Sequence, residues 1–185
     1  MLLFKTHMKK ILFLGDSLVE FFDWQGRFPG HTIANLGIAG ETVEGLHSRI
    51  GKIIRQFPSP GLVLIMTGIN NVAMEDLGFL DSYREIVNAL SSAYPHTRIV
   101  LHTLLPTLLP WIPKETIREV NRSLYNIAQE TNTEFLDLHN RFVDPQGNPI
   151  RDYLLADGVH LGEKGYARWA EVLTRIIDKS ETDPR

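Results

Sequence analysis

Residues 10–18 read KILFLGDSL. Four apolar residues, Ile11 to Leu14, follow two lysines and stop at Gly15-Asp16-Ser17. Four are too few for a membrane span or for the apolar region of a secretory leader. They suit a strand, Lys10–Leu14, buried on both faces and feeding a tight turn. The rhythm repeats downstream. Strand-like runs occupy His31–Leu36, Leu62–Thr67, Arg98–Thr103 and Glu134–Leu138. Between them, apolar residues recur at spacings of three and four over Thr42–Gln56, Leu80–Tyr94, Ile117–Thr131 and Tyr166–Ile177, which predicts helices with one buried face. Alternation of this kind predicts a doubly wound α/β sheet of parallel strands joined by right-handed crossovers.

The chain has 185 residues, of which 43% are hydrophobic, enough for one domain over residues 1–185 with a substantial core. Residues 1–9 and 180–185 are expected to be flexible ends, and Met8 is an alternative start to Met1. The net charge of −3 excludes binding to nucleic acid driven by charge. The absence of cysteine excludes disulfides, thiolate metal sites and a Cys nucleophile. It suits a reducing compartment, and the expected location is cytoplasmic, with no membrane span. Pro58–Pro60 and Pro106–Pro113 fall in loops. The second lies in the apolar run LLPTLLPWIP, residues 104–113, and reads as a pocket wall, a partner contact or a loop packed on the core.

Sites in open parallel sheets form beyond the carboxyl ends of the strands. At that edge this chain has Gly15-Asp16-Ser17-Leu18 after the first strand and Gly37 to Thr42 after the second. Gly68-Ile69-Asn70-Asn71 follows the third, and Asp157-Gly158-Val159-His160 comes after the fifth. Ser17 is a candidate nucleophile at a helix start, although a serine there also serves as a cap. His160 is a candidate base. Asp157, three residues earlier, has the chemistry to fix its tautomer, or simply to cap the turn. Gly40 offers a backbone N–H at close approach, and Asn70 an uncharged amide donor, as an oxyanion site needs. Both also suit ordinary turns. Each residue alone has a plain structural reading. Their convergence on one edge points to nucleophilic chemistry.

These residues resemble the SGNH, or GDSL, hydrolase superfamily in four ordered blocks. The blocks are GDSL at 15–18, NLGIAGET at 35–42, GINN at 68–71 and DGVHL at 157–161. The resemblance implies a flavodoxin-like, three-layer α/β/α sandwich with five parallel strands, and ester hydrolysis with no cofactor and no metal. It places the nucleophile on Ser17, the histidine on His160 and the acid on Asp157. It places the oxyanion hole on Ser17, Gly40 and Asn70. NLGIAGET, GINN, the LLP after the fourth strand (residues 104–106) and HLGEKGYA make the chain most similar to the platelet-activating-factor acetylhydrolase-like branch. Many members have Asp after the oxyanion Asn, where this chain has Asn71. By this resemblance the substrate is a small-molecule carboxylic ester, with a short acyl group expected because no second domain or lid is visible. Thioester or lysophospholipid hydrolysis is the alternative activity, a non-catalytic binding module of the same fold the alternative class, and a homodimer a reasonable assembly. Asp16, Leu18, Asn71, Leu105 and Trp111 are expected to line the substrate pocket.

Other signals are weak. The histidines form no H-x-x-x-H or H-E-x-x-H pair, no G-x-S-x-G elbow surrounds Ser17, and no phosphate loop ending in GK[ST] occurs. His102 and His139 read as strand-end residues with hydrogen-bond partners. Trp169 reads as core, while Trp24 reads equally as pocket wall or core. Trp111 reads as pocket wall or dimer contact. Asn121-Arg122-Ser123 matches a glycosylation sequon but sits within a helical pattern.

Overall fold

A computed structural model describes residues 8–178; the expectations for residues 1–7 and 180–185 lie outside them. Five strands form one parallel sheet: β1 (Lys10–Gly15), β2 (Thr32–Gly37), β3 (Leu62–Met66), β4 (Arg98–His102) and β5 (Glu134–Leu136). Their order across the sheet is β2-β1-β3-β4-β5. The helices are α1 (Ser17–Glu20), α2 (Trp24–Arg27), α3 (Val43–Gln56), α4 (Ile69–Ala73), α5 (Leu80–Ala93), α6 (Lys114–Glu130) and α7 (Glu163–Asp178). With this order, right-handed crossovers send α3, α5 and α6 to one face and α1 to the other. Contacts agree: α3 packs on α5 and α5 on α6, while Trp24 of α2 meets Trp169 of α7 edge to face at 4.8 Å. The architecture is the three-layer α/β/α sandwich expected.

β1 and β3 carry the centre. Ile11 to Leu14 and Leu62 to Met66 are all buried, because both faces of the sheet are covered by helices. Apolar side chains of this size each contribute about 1.5–3 kcal/mol on burial. β2 and β5 are edge strands and only partly buried. β5 stops two residues before the expected Leu138. The Thr103 hydroxyl takes the N–H groups of Leu138 and His139, at 3.0 and 2.8 Å, and so replaces the ladder there.

Two helices begin three residues earlier than the apolar spacing suggested. α6 opens at Lys114, directly after Pro113, and α7 at Glu163. Their first turns are polar, and periodicity marks only the buried face. Lys9, expected in a flexible end, is tied into the fold. Its ammonium donates to the Ile177 carbonyl at 2.7 Å, and its N–H to His31 Nδ1 at 3.2 Å. No helix among the described residues is long and apolar enough to cross a membrane.

Candidate active site

Three strands deliver their loops to one place. Gly15 at the end of β1 pairs with Gly37 of β2 on one side and Met66 of β3 on the other. A Cβ on Gly15 would stand 2.1 Å from the Met66 carbonyl oxygen, so only glycine fits between these backbones. Asp16 then caps α1, its Oδ1 accepting the Leu18 N–H at 3.0 Å. Ser17 is the first helical residue.

The Ser17 hydroxyl lies 2.9 Å from His160 Nε2, and His160 Nδ1 lies 2.9 Å from Asp157 Oδ2. Asp157 has a second task. Its Oδ1 accepts the N–H groups of Val159 and His160 at 2.8 and 2.9 Å, which folds the turn that presents the imidazole. Partial burial pulls the Asp157 carboxyl upward, but those N–H donors and the His160 ring outweigh it and hold it below the usual carboxylate range. An ionised Asp157 accepts from Nδ1–H, which leaves Nε2 to accept the hydroxyl proton. Gly158 occupies the left-handed region at φ +75°, and its carbonyl accepts the Leu108 N–H at 2.8 Å. The loop after β4 thus braces the turn.

Three N–H donors face no acceptor of their own. Among the described residues the backbone N–H groups of Ser17 and Gly40 donate to no protein atom. Asn70 Nδ2 gives one hydrogen to the Glu41 carbonyl at 2.9 Å and keeps the other. Gly40 has φ +75° with open space where a Cβ would stand, so the backbone angle, not room, favours glycine there. The loop is held on both sides. Glu20 accepts the Ala39 N–H at 2.5 Å, and the Glu41 carboxylate pairs with Arg49 through two bonds of 2.6 Å. Donors fixed in this way need little rearrangement to receive a developing oxyanion.

The expected pocket lining is corrected at four positions. Asp16, Leu18, Asn71 and Leu105 are all buried and lie beneath the site, not on its surface. Asp16 caps the helix, and burial pushes its carboxyl up to about 7. Leu18 and Leu105 belong to the core. Asn71 is a strut: its Oδ1 accepts the Val43 N–H at 2.9 Å, and its Nδ2 donates to Glu44 and Asp76 at 2.9 and 3.1 Å. Trp111 is 56% exposed on the loop after β4. The neighbouring groove is lined by Leu108, Pro110, Lys114, Asp144 and Arg151, among others, and Trp111 is not one of its walls.

The remaining signals resolve. Trp24 is core, stacked on Phe13 at 4.5 Å, and Trp169 is buried beside it. His102 is buried with neither ring nitrogen hydrogen-bonded, contrary to expectation. It lies edge to face with Trp169, and burial lowers its pKa to about 3, so it stays neutral. His139 opens a short 3₁₀ turn, and its partial burial also lowers its pKa. Asn121 of the sequon is buried and bonded to both backbone groups of Leu104, so it is not available to a glycan. No group of three or more His, Asp or Glu side chains fit to hold a metal occurs among the described residues.

Two neighbours of Ser17 and His160 escaped the sequence reading. Phe21, four residues after Ser17, has its ring centroid 5.5 Å from that of His160, and its N–H bonds the Ser17 carbonyl at 3.0 Å. Leu155 bonds the His160 carbonyl through its N–H at 2.7 Å. The one available signal was the i+4 placement of Phe21 on a helix starting at Ser17.

The model of the GDSL-like lipase/acylhydrolase family matches residues 13–168 of the chain. The platelet-activating factor acetylhydrolase IB subunit alpha2 of Rattus norvegicus is 27% identical over 176 residues, covering 90% of this chain and 75% of that protein. Subunit alpha1 of Bos taurus is 26% identical over 182 residues, covering 94% and 77%. Among solved structures, a protein described as a platelet activating factor from Streptococcus pneumonia superposes with a TM-score of 0.81 at 23% identity, over 94% of this chain and 86% of that one, a likeness of fold. An acetylxylan esterase from Geobacillus stearothermophilus superposes with a TM-score of 0.71 at 27% identity, over 96% and 97%.

Proposed function

Because the chain belongs to the GDSL-like lipase/acylhydrolase family, whose members are carboxylic ester hydrolases, we propose that it is a serine esterase acting on short-acyl esters through an acyl-enzyme on Ser17. The observation that carries the reading is the unbroken relay from Ser17 Oγ to His160 to Asp157, with both links at 2.9 Å.

In the first half-reaction Ser17 Oγ attacks the ester carbonyl carbon while its proton passes to His160 Nε2. Asp157 stabilises the imidazolium. The carbonyl oxygen takes up negative charge and receives hydrogen bonds from the N–H groups of Ser17 and Gly40 and from the free hydrogen of Asn70 Nδ2. The bond to the alcohol oxygen then breaks, and His160 returns the proton to it. In the second half-reaction His160 takes a proton from water as the oxygen attacks the acyl carbon; the bond to Ser17 Oγ then breaks, His160 returns the proton to Oγ, and the carboxylic acid leaves.

A short acyl group is supported by what lies under the nucleophile. Leu18 and Val19 are packed into the core, and the open groove lies between the loop after β4 and residues 144–151, with neither Ser17 nor His160 among its walls. The acetylxylan esterase neighbour acts on an acetyl ester by its name, which agrees with a small acyl side.

The test compares wild type with Ser17→Ala on p-nitrophenyl acetate, butyrate, octanoate and palmitate. Fastest turnover on the short esters and none by the variant are expected, with a fluorophosphonate labelling Ser17. Turnover retained by Ser17→Ala overturns the mechanism, and fastest turnover on palmitate overturns the short acyl group.

A further inference from the structure

Phe21 and Leu155 are large apolar side chains that the fold leaves in water, 58% and 49% exposed. Each is one backbone hydrogen bond from the relay: Phe21 N–H to the Ser17 carbonyl, and Leu155 N–H to the His160 carbonyl. The Phe21 ring also lies against the imidazole, tilted by 35°. Phe21 therefore flanks the imidazole itself, and Leu155 stands opposite His160 across the backbone bridge that closes the turn. The oxyanion donors come from other elements, Gly40 from the loop after β2 and Asn70 from the first turn of α4.

The reaction assigns these two regions different parts of a substrate. His160 Nε2 must reach the alcohol oxygen to protonate it as it leaves, while the carbonyl oxygen must face Gly40 and Asn70. The alcohol portion consequently lies over the His160 side. From this geometry we infer that Phe21 and Leu155 form the leaving-group subsite and that it takes apolar alcohol moieties.

This inference rests on the serine-esterase reading. The subsite favours alcohols that cover its exposed ring and isobutyl group over alcohols that keep a hydration shell. Its effect falls on acylation, the step in which the alcohol is still attached, so kcat/KM is the quantity to read.

Hexyl acetate and the acetate of an oligo-ether alcohol of equal length provide the test, measured for wild type, Phe21→Ala, Phe21→Leu and Leu155→Ala. We expect wild type to favour hexyl acetate in kcat/KM by about tenfold. Phe21→Ala and Leu155→Ala each lower that ratio several-fold, and Phe21→Leu restores most of it. The ratio between acetate and butyrate of one alcohol stays where it was. A wild-type ratio near one, a ratio untouched by either alanine variant, or a change confined to the acyl ratio overturns the subsite while leaving the esterase intact. A wild type that hydrolyses no ester overturns the esterase reading and the subsite together.

Discussion

The carbonyl of Gly158 accepts the N–H of Leu108 at 2.8 Å, so the turn that presents His160 leans on the proline-rich loop after β4. A Cβ at position 158 would meet Leu108 Cβ at 2.8 Å, and the glycine sits at φ +75°. Gly158→Ala is therefore strained twice. We expect about 1–3 kcal/mol lower stability and slower labelling of Ser17 by a fluorophosphonate, because His160 is displaced. Labelling at the wild-type rate would show that the brace does not govern the turn.

Asp157 holds the turn with one oxygen and the imidazole with the other. Asp157→Asn keeps an acceptor for the turn but loses the charge and the preferred tautomer of His160. Turnover should fall by about 10²–10⁴-fold with the unfolding temperature nearly unchanged. Equal losses of activity and stability would mean that the residue acts through the turn alone.

Asp16 makes stability depend on pH in an unusual direction. Burial raises its carboxyl from 3.8 to about 7 in the folded chain, against the lowering effect of the Leu18 N–H. Between those values the folded state holds a proton that the unfolded state has released. Stability therefore declines as pH rises through the window and is level above about 7. The decline from this group is on the order of 4 kcal/mol. Asp16→Asn removes it. Urea unfolding at several pH values should show the variant gaining on wild type as pH rises, and parallel curves would count against the assignment.

Asn71 has 0% exposure and donates to two carboxylates, Glu44 and Asp76. Many relatives of the superfamily resemblance have Asp here, but in this chain the exchange is unfavourable. Asn71→Asp would set a third carboxylate against the pair and bury a charge without a cation, a cost of about 3–5 kcal/mol at neutral pH. Thermal unfolding should show a large drop at neutral pH that shrinks in acid, where the carboxylates protonate. A small, pH-independent drop would be incompatible with this account.

Much of the fold was legible because the central strands are apolar at every position and each helix buries one periodic stripe. Ser17, Gly40, Asn70, Asp157 and His160 were legible because each directly follows a strand or lies in one short turn. Pocket lining was not. Distance along the chain from Ser17 placed Asp16 and Leu18 near the nucleophile, but Asp16 turns inward to cap α1 and Leu18 lies on the buried face of that helix. Phe21, one turn further on, returns to the surface beside His160. The partner of His102 was misjudged for a similar reason: its ring packs edge to face with Trp169, a contact between residues far apart in sequence.

Ser17 and His160 are separated by 143 residues, and the Tyr166 hydroxyl that bonds the Leu18 carbonyl at 3.0 Å lies 148 residues from its acceptor. Everything between them must be synthesised before either contact forms. The serine emerges early in translation and waits without a base while the sheet assembles beside it. Tyr166 of α7 and Leu18 of α1 meet only when the last helix docks, so a nascent chain that already holds all five strands still lacks the Ser17–His160 contact.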